Sequence, residues 1–244
     1  MDMFTQKRGQ TTIFIIIGLV IVIIIALFFV IRSNIQTESR DVSFSGKVGE
    51  VREFTQDCID STVKNGLKTI SSRAGYYTMP SNVFSYSGNN YVYVYYGETP
   101  YYVDEQQVIE NIKQYITDKL DGCIDGYKSF NSAGYSVKKD GDINIEVSLD
   151  QLTSVSVKYP VLIKKGEETT LLEEFNTVNV GDGLKQNLAN VKSLVDKYIA
   201  DEGLFTPQTG AYSNCDDIPE SDVYFCRWTN LDNDMEYNFI FVLE

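Results

Sequence analysis

The spacing of apolar positions changes character several times along the chain. From Gly9 to Ile31 there are 23 residues without a charge, nearly all Ile, Val, Leu and Phe, and no polar stripe among them. As one helix this run covers about 34 Å, enough to cross a hydrocarbon core of about 30 Å, and a helix apolar all round is solvated by lipid. Residues 10–32 are therefore predicted to span a membrane. A secretory signal has a shorter apolar core ending in small residues, whereas this run ends in "ALFFVIRSN" and is expected to be retained. Lys7 and Arg8 stand just before the span, so the positive-inside tendency keeps residues 1–9 in the cytoplasm and places the rest outside. Residues 33–47 are polar and without period, which predicts a short stalk.

Helical spacing begins at Val48. Val51, Phe54, Cys58, Ile59, Val63, Leu67 and Ile70 recur at three and four, predicting an amphipathic helix that ends near Arg73–Gly75 with Cys58 facing the core. A tyrosine-rich stretch comes next: residues 75–103 hold nine of the seventeen tyrosines. Here "SGNN" signals a turn, and Tyr91, Tyr93 and Tyr95 alternate with Val92 and Val94, predicting a hairpin with a tyrosine face. Such a face serves either as a binding patch for glycan or protein or as a half-buried cross-strand ladder. Asp104, with Gln107 three residues on, is a capping box opening a second helix with a stripe of Val108, Ile109, Ile112, Ile116, Leu120 and Cys123.

From Gly134 to Val180 the period is two. "YSVKKDGDINIEVSL" reads as a hairpin turning at Asp140–Gly141, another turn is expected at Lys165–Gly166, and Pro160 marks an edge or a bulge. The "GDG" of 181–183 lacks the rest of a phosphate-cradling loop and is read as the start of a third helix, with Leu184, Leu188, Val191, Val195, Tyr198 and Ile199 inward and a stop at Gly203. In the tail, "VYFCRWT" and "MEYNFIFVL" flank the turn "NLDND". That turn lacks the glycine and terminal glutamate of a calcium-binding EF-hand and reads as an Asx-rich turn. The expected fold is α+β, with an amino-terminal transmembrane helix and an ectodomain of antiparallel β-meander and about three packed helices. Its core is assigned to 48–203, with a disulfide-stapled β-appendage at 204–244 packed on it.

Charge and composition narrow the chemistry. All of the 34 acidic residues but Asp2 lie beyond the span, against 18 of the 21 basic ones, and the chain's formal net charge is −13. Such a surface repels phosphate backbones, so no nucleic-acid partner is expected. The chain contains no histidine. Ser-His-Asp, Cys-His, haem-His and ordinary zinc-hydrolase sites are thereby removed, and no phosphate loop or nucleophile elbow takes their place. No enzyme activity, metal or cofactor is expected. Four cysteines, Cys58, Cys123, Cys215 and Cys226, lie on the outer side without any CxxC pair, which reads as two disulfides in an oxidising compartment. Cys58 and Cys123 lie on helical stripes expected to pack together, and Cys215 and Cys226 are eleven positions apart, so these are the expected pairs.

The segment Lys7, Arg8, Gly9, Gln10 followed by the apolar run resembles the class III, prepilin-like signal of archaeal surface proteins such as archaellins and type IV-like pilins. The resemblance covers about 26 residues and implies cleavage between Gly9 and Gln10, leaving the apolar helix on the mature chain to build a filament core. Many pilins carry glutamate five residues into the mature chain, where this chain has Phe14. The layout as a whole is similar, more loosely, to uncharacterised membrane-tethered exoproteins of small-genome archaea, a likeness that implies no activity. The expected function is a non-enzymatic, single-pass cell-surface protein, with the membrane engaged through 10–32 and a protein or glycan partner outside. The alternative is a pilin-like subunit that self-associates through the amino-terminal helix into an extracellular filament.

Overall fold

The structure, a computed structural model, describes Ile21 and residues 44–200, 213–219, 221–230 and 235–242. The expectations for the tail 1–9, the Gly9–Gln10 processing site, the span 10–32 apart from Ile21 and the stalk to residue 43 lie outside the described residues; residues 44–47, expected to end the stalk, are instead helical. Among the described residues no helix is long and apolar enough to cross a membrane. The chain divides into two compact units, residues 1–47 and 48–244, and every described strand and both disulfides belong to the second.

Helix α1 (Phe44–Ser71) buries Val51, Thr55, Cys58, Ile59, Val63, Leu67 and Ile70 along one stripe. It closes where the Gly75 amide donates to the Ile70 carbonyl at 2.9 Å with φ of +93°, a left-handed stop that only glycine adopts cheaply. Helix α2 (Glu105–Ile124) is capped by Asp104, whose carboxylate accepts from the Gln107 amide at 2.7 Å. The two helices approach closely at Gly66, where an added Cβ would lie 2.8 Å from the Tyr115 ring. The buried stripe of α2 is Val108, Asn111, Ile112, Ile116, Leu120 and Ile124. Cys123 is thus not on the core stripe as expected; it is exposed, because four residues after Leu120 the helix turns Ile124 inward instead. The chain then reverses through three left-handed residues, Asp125, Gly126 and Tyr127, into the short helix α3 (Lys128–Ser132). Tyr127 is buried, with its hydroxyl 2.9 Å from Thr55 Oγ1 of α1 and its ring against Phe54.

One sheet is built around a 13-residue strand. Strands β4 (Ser136–Lys139) and β5 (Asn144–Leu149) do not pair with each other, contrary to the hairpin expected at Asp140–Gly141; both pair antiparallel with β6 (Thr153–Lys165), end to end along one edge. The Asp-Gly signal is local, and the longer β5–β6 ladder with its own tight turn overrides it. On the other edge of β6 lie β7 (Glu168–Glu174) and β8 (Val178–Val180). Pro160 sits at a register shift between Lys158 and Val161, so its missing N–H falls where the ladder is already interrupted. Val155, Val157, Tyr159, Val161 and Ile163 of β6 all point inward, and α2 lies against β5. The "GDG" segment is a helix start: Asp182 Oδ1 accepts from the Leu184 amide at 3.1 Å at the head of α4 (Leu184–Ala200).

The second sheet runs β1 (Val83–Tyr86), β2 (Asn89–Tyr96), β11 (Met235–Val242), β10 (Val223–Asn230) and β9 (Ser213–Asp217), with β3 (Thr99–Pro100) on β2. The β1–β2 turn at Ser87–Gly88 has positive φ at both residues, the form that matches strand twist. Pairing is antiparallel except between β2 and β11, which run parallel. The strands of the tail therefore share one sheet with the tyrosine hairpin. Among the described residues the fold is α+β with three long helices and sheets mostly antiparallel.

Two disulfides join Cys58 to Cys123 and Cys215 to Cys226, with Cα–Cα separations of 5.7 and 4.0 Å. Cys215 and Cys226 are direct cross-strand partners of β9 and β10. On the chain-entropy relation, closing 65 residues restricts the unfolded chain by about 4 kcal/mol and closing 11 by about 3 kcal/mol. Replacing Cys58 and Cys123 together by Ser is expected to lower unfolding stability more than replacing Cys215 and Cys226, as measured by denaturant titration under one set of conditions. At Gly75 a Cβ would stand 2.4 Å from Val103 Cγ2 and 3.0 Å from Val108 Cγ2, whereas at Gly88, also at positive φ, it meets nothing within 4 Å. Gly75→Ala is expected to cost roughly 2–4 kcal/mol and Gly88→Ala roughly 1 kcal/mol, read from the shift of the same unfolding midpoint.

Candidate surface-binding face

The parallel junction decides which tyrosines share a face. Tyr93 pairs with Ile240 and Tyr95 with Phe241, so two steps along β2 match one step along β11. The extra residue is a bulge, and after it the alternation is inverted. Val94 and Tyr95 are both buried, and Tyr95 stacks on Phe241 at 5.2 Å and meets the ring of Tyr198 of α4 at 5.0 Å. Tyr96 returns to the outer side, half exposed, with its ring 5.0 Å from that of Tyr93. The expected face of Tyr91, Tyr93 and Tyr95 is corrected to Tyr91, Tyr93 and Tyr96.

These rings lie across the sheet. Tyr91 reaches over β11 to Phe225 of β10, with centroids 4.6 Å apart, and Tyr86 approaches the same ring at 5.5 Å. Phe84 packs on Tyr93 at 6.1 Å. Beneath them Ile240 is fully buried, and Val223 and Val242 nearly so. The aromatic ladder thus stabilises the sheet while Tyr91 and Tyr93 stay partly accessible and Tyr96 is half exposed.

Farther along β10 and β11 the same face turns polar, since Arg227 and Asn238 are register partners two residues beyond Phe225 and Ile240. The Arg227 guanidinium lies 5.4 Å from the Phe225 ring centroid and its Nε is 3.8 Å from Glu236 Oε2. Asn238 Nδ2 donates to Glu236 Oε2 at 3.3 Å, while Asn238 Oδ1 is buried and has no hydrogen-bond partner. An unpaired buried acceptor of this kind costs about 1–3 kcal/mol. Glu236 also borders a depression of ≈ 460 Å³ walled by Lys68, Thr69, Ser72 and Arg73 at the end of α1.

The opposite side of the sheet is closed core. Trp228 stacks on Tyr237 and meets Phe239 edge-on, with ring centroids 6.0 and 4.9 Å apart. Burial pushes the Tyr237 hydroxyl far above the usual phenol range, so it stays protonated. Two other depressions, of ≈ 440 Å³ beside Asp150 and Lys185 and ≈ 380 Å³ along Asp57, Asp60 and Lys64, are open and polar. Among the described residues no group of three or more Cys, Asp or Glu side chains is arranged to hold a metal ion. Of the turn considered for calcium, residues 231–234 lie outside the described residues.

One buried carboxyl stands apart. Asp182 is 3% exposed; its Oδ1 accepts from Thr153 Oγ1 at 2.9 Å and from the Leu184 amide, and its Oδ2 has no partner. Desolvation by burial raises its pKa above the ordinary 3.8, and the two hydrogen bonds oppose that only in part. The raised value means the folded state favours the protonated acid. Its contribution to stability is fully present below the ordinary carboxyl range and is lost as pH rises through the folded-state pKa. Asp182→Asn keeps the capping oxygen without the charge. The variant is expected to be more stable than the parent at neutral pH, with the gap closing as pH falls, measured by thermal unfolding from acid to neutral pH.

No protein-family model, no curated protein and no solved structure matches this chain.

Proposed function

We propose that this chain is a non-enzymatic cell-surface protein, anchored in the membrane by residues 10–32 and presenting an acidic, disulfide-stapled α+β domain that binds a partner outside. The observation that carries the reading is the conjunction of a 23-residue charge-free run with a domain in which all four cysteines are paired. Paired cysteines belong to an oxidising environment. The charge-free run supplies a way of holding such a domain at the cell boundary, because its length and apolar surface suit a lipid core. The absence of histidine supports a binding role over a catalytic one, since it removes the commonest acid–base residue. The binding side is assigned to the aromatic and polar face of β2, β11 and β10.

A second reading rests on Lys7, Arg8, Gly9 and Gln10, which resemble a prepilin-like signal. In that reading cleavage frees Gln10 as the mature amino terminus and the apolar helix packs against copies of itself in a filament. Such a core needs close side-chain packing between subunits. Phe14, in place of the glutamate familiar in pilins, and the sufficiency of spanning to explain the run both favour the anchored form.

Fractionation of native cells with intact-mass measurement separates the two. The anchored protein is expected in the detergent-extracted membrane fraction, with its domain digested by protease added to intact cells. Recovery of chains beginning at Gln10 in sheared extracellular filaments would replace the first reading by the second, and a domain protected from protease would remove both.

A further inference from the structure

We infer that the outer face of β2, β11 and β10 binds the neutral pyranose units of an envelope-bound glycan chain. This deepens, and rests on, the surface-protein reading above. Sugar rings would lie on the aromatic side chains of Tyr91, Tyr93 and Tyr96, and their hydroxyls would pair with Arg227, Glu236 and Asn238.

The first support is the unpaired oxygen of Asn238. Native proteins leave few buried polar atoms without partners, and each such atom asks for an explanation. The side-chain amide nitrogen of Asn238 already donates to Glu236, which has no proton to return, and Arg227 is directed at Glu236 and the Phe225 ring. No donor among the described residues reaches Asn238 Oδ1, and a ligand hydroxyl would supply one. The Arg227 side chain beside it is 46% exposed and its ion pair with the half-exposed Glu236 is long, at 3.8 Å, so it is held weakly enough to swing aside. Together the three groups offer an orphan acceptor, a carboxylate acceptor and a guanidinium donor within one small patch. A row of vicinal hydroxyls, each both donor and acceptor, matches that set.

The second support is the apolar surface joined to it. Phe225 touches Tyr91 on one side and the Arg227 guanidinium on the other, so ring and polar groups form one continuous strip. Half-exposed aromatic side chains with polar tips suit ligands that are apolar on one face and wet at the rim, as a pyranose ring is. Tyr96 and its neighbour Tyr93 extend the strip past the bulge.

Charge and shape fix the class further. The Arg227–Glu236 pair is balanced, Asp216 of β9, opposite Phe225, adds an exposed carboxylate to the same face, and the chain's net charge is −13, so acidic sugars are disfavoured and the ligand class is neutral. The face is an open strip across three strands, roughly 10 Å wide, and suits a chain lying along it better than an enclosed monosaccharide. At its polar end Glu236 leads into the depression bounded by Lys68 and Arg73, whose ≈ 460 Å³ falls in the usual range of small-ligand sites. A peptide partner would use a free strand edge or an apolar groove. Here β11 and β10 are paired on both sides and supply only side chains.

The test uses the full chain in detergent micelles and two neutral probes, mannohexaose and cellohexaose, with a sulfated hexaose as the charged arm and an unbiased peptide pool as the protein arm. Titration calorimetry is read beside the 15N shift of the Asn238 side-chain amide. Binding of at least one neutral hexaose with movement of that signal is expected. Tyr96→Ala removes an exposed ring and should weaken binding by about tenfold without affecting folding. Asn238→Leu replaces the orphan amide by an apolar group of similar size; it should preserve or raise the unfolding temperature while weakening binding by about tenfold. Stabilisation with unchanged affinity would show Asn238 to be merely an unsatisfied core group and would overturn the assignment. So would no neutral hexaose binding, tighter binding of the sulfated probe, or binding only from the peptide pool. Each of these leaves the membrane reading standing, because that is decided by fractionation, and a failed fractionation leaves the titration intact.

Discussion

The parallel ladder between β2 and β11 is the contact on which the domain depends. It is the only backbone pairing in the described residues that joins the tyrosine hairpin to the strands of the tail, and without it each would be a small sheet with an uncovered edge. A two- or three-stranded piece is marginal in water, whereas the joined sheet has two faces wide enough to bury aromatic side chains. On the helix side Tyr95, Phe241 and Tyr198 meet within 5.2 Å of one another. On the outer side Tyr91 covers Ile240 to reach Phe225. Both clusters need the register of this one ladder, and both need its bulge.

A contact between strands so far apart in sequence carries a loop-closure cost that local pairings do not. The two disulfides close other, shorter loops. Cys58–Cys123 ties α1 to α2 and so encloses the whole hairpin, β1 to β3, in a closed loop whose two ends are helices. Cys215–Cys226 holds β9 on β10, where β9 itself, "SNCDD", brings no large apolar side chain to the sheet. The edge of the tail sheet is therefore covered by covalent attachment rather than by burial, and the acidic residues of β9 make a poor template for further strands.

Helices are the most legible part of the sequence, because their stripes repeat over several turns and their ends carry chemistry. Asp104, Asp182 and Gly75 each stop or start a helix as their residue types imply. Strand pairing is less legible. Asp140–Gly141 has the composition of a tight hairpin turn, yet β4 and β5 succeed each other along β6, since the partner of a strand is set by a ladder that local turn chemistry cannot see. Pro160 does announce its interruption. Cys123 is displaced from its expected stripe because a three-residue step and a four-residue step from Leu120 fit equally well in sequence, and only packing chooses Ile124. Of the candidate site, Tyr91 and Tyr93 are readable from alternation, but Tyr96 is not, since the bulge that exchanges it for Tyr95 is imposed by the distant strand that begins at Met235. Arg227, Glu236 and Asn238 carry no signal at all until β10 and β11 are aligned.

The acidic surface and the proposed binding face differ in character. The acidic residues are mostly exposed, on helices, loops and the strands β7 and β9, where hydration and salt screen them. On the outer face of the sheet the carboxylate of Glu236 lies 3.8 Å from Arg227 Nε and accepts from Asn238 Nδ2 at 3.3 Å. That pair is balanced in charge, and Asp216, the register partner of Phe225, brings one exposed carboxylate to the β9 side of the same face. Repulsion between like-charged surfaces opposes non-specific association of the domain, while it exerts no comparable force on a neutral ligand. A lysine or aspartate introduced at Tyr96 would disturb the strip without touching the core, because the bulge has already separated that ring from Tyr95 and the packed side of the sheet.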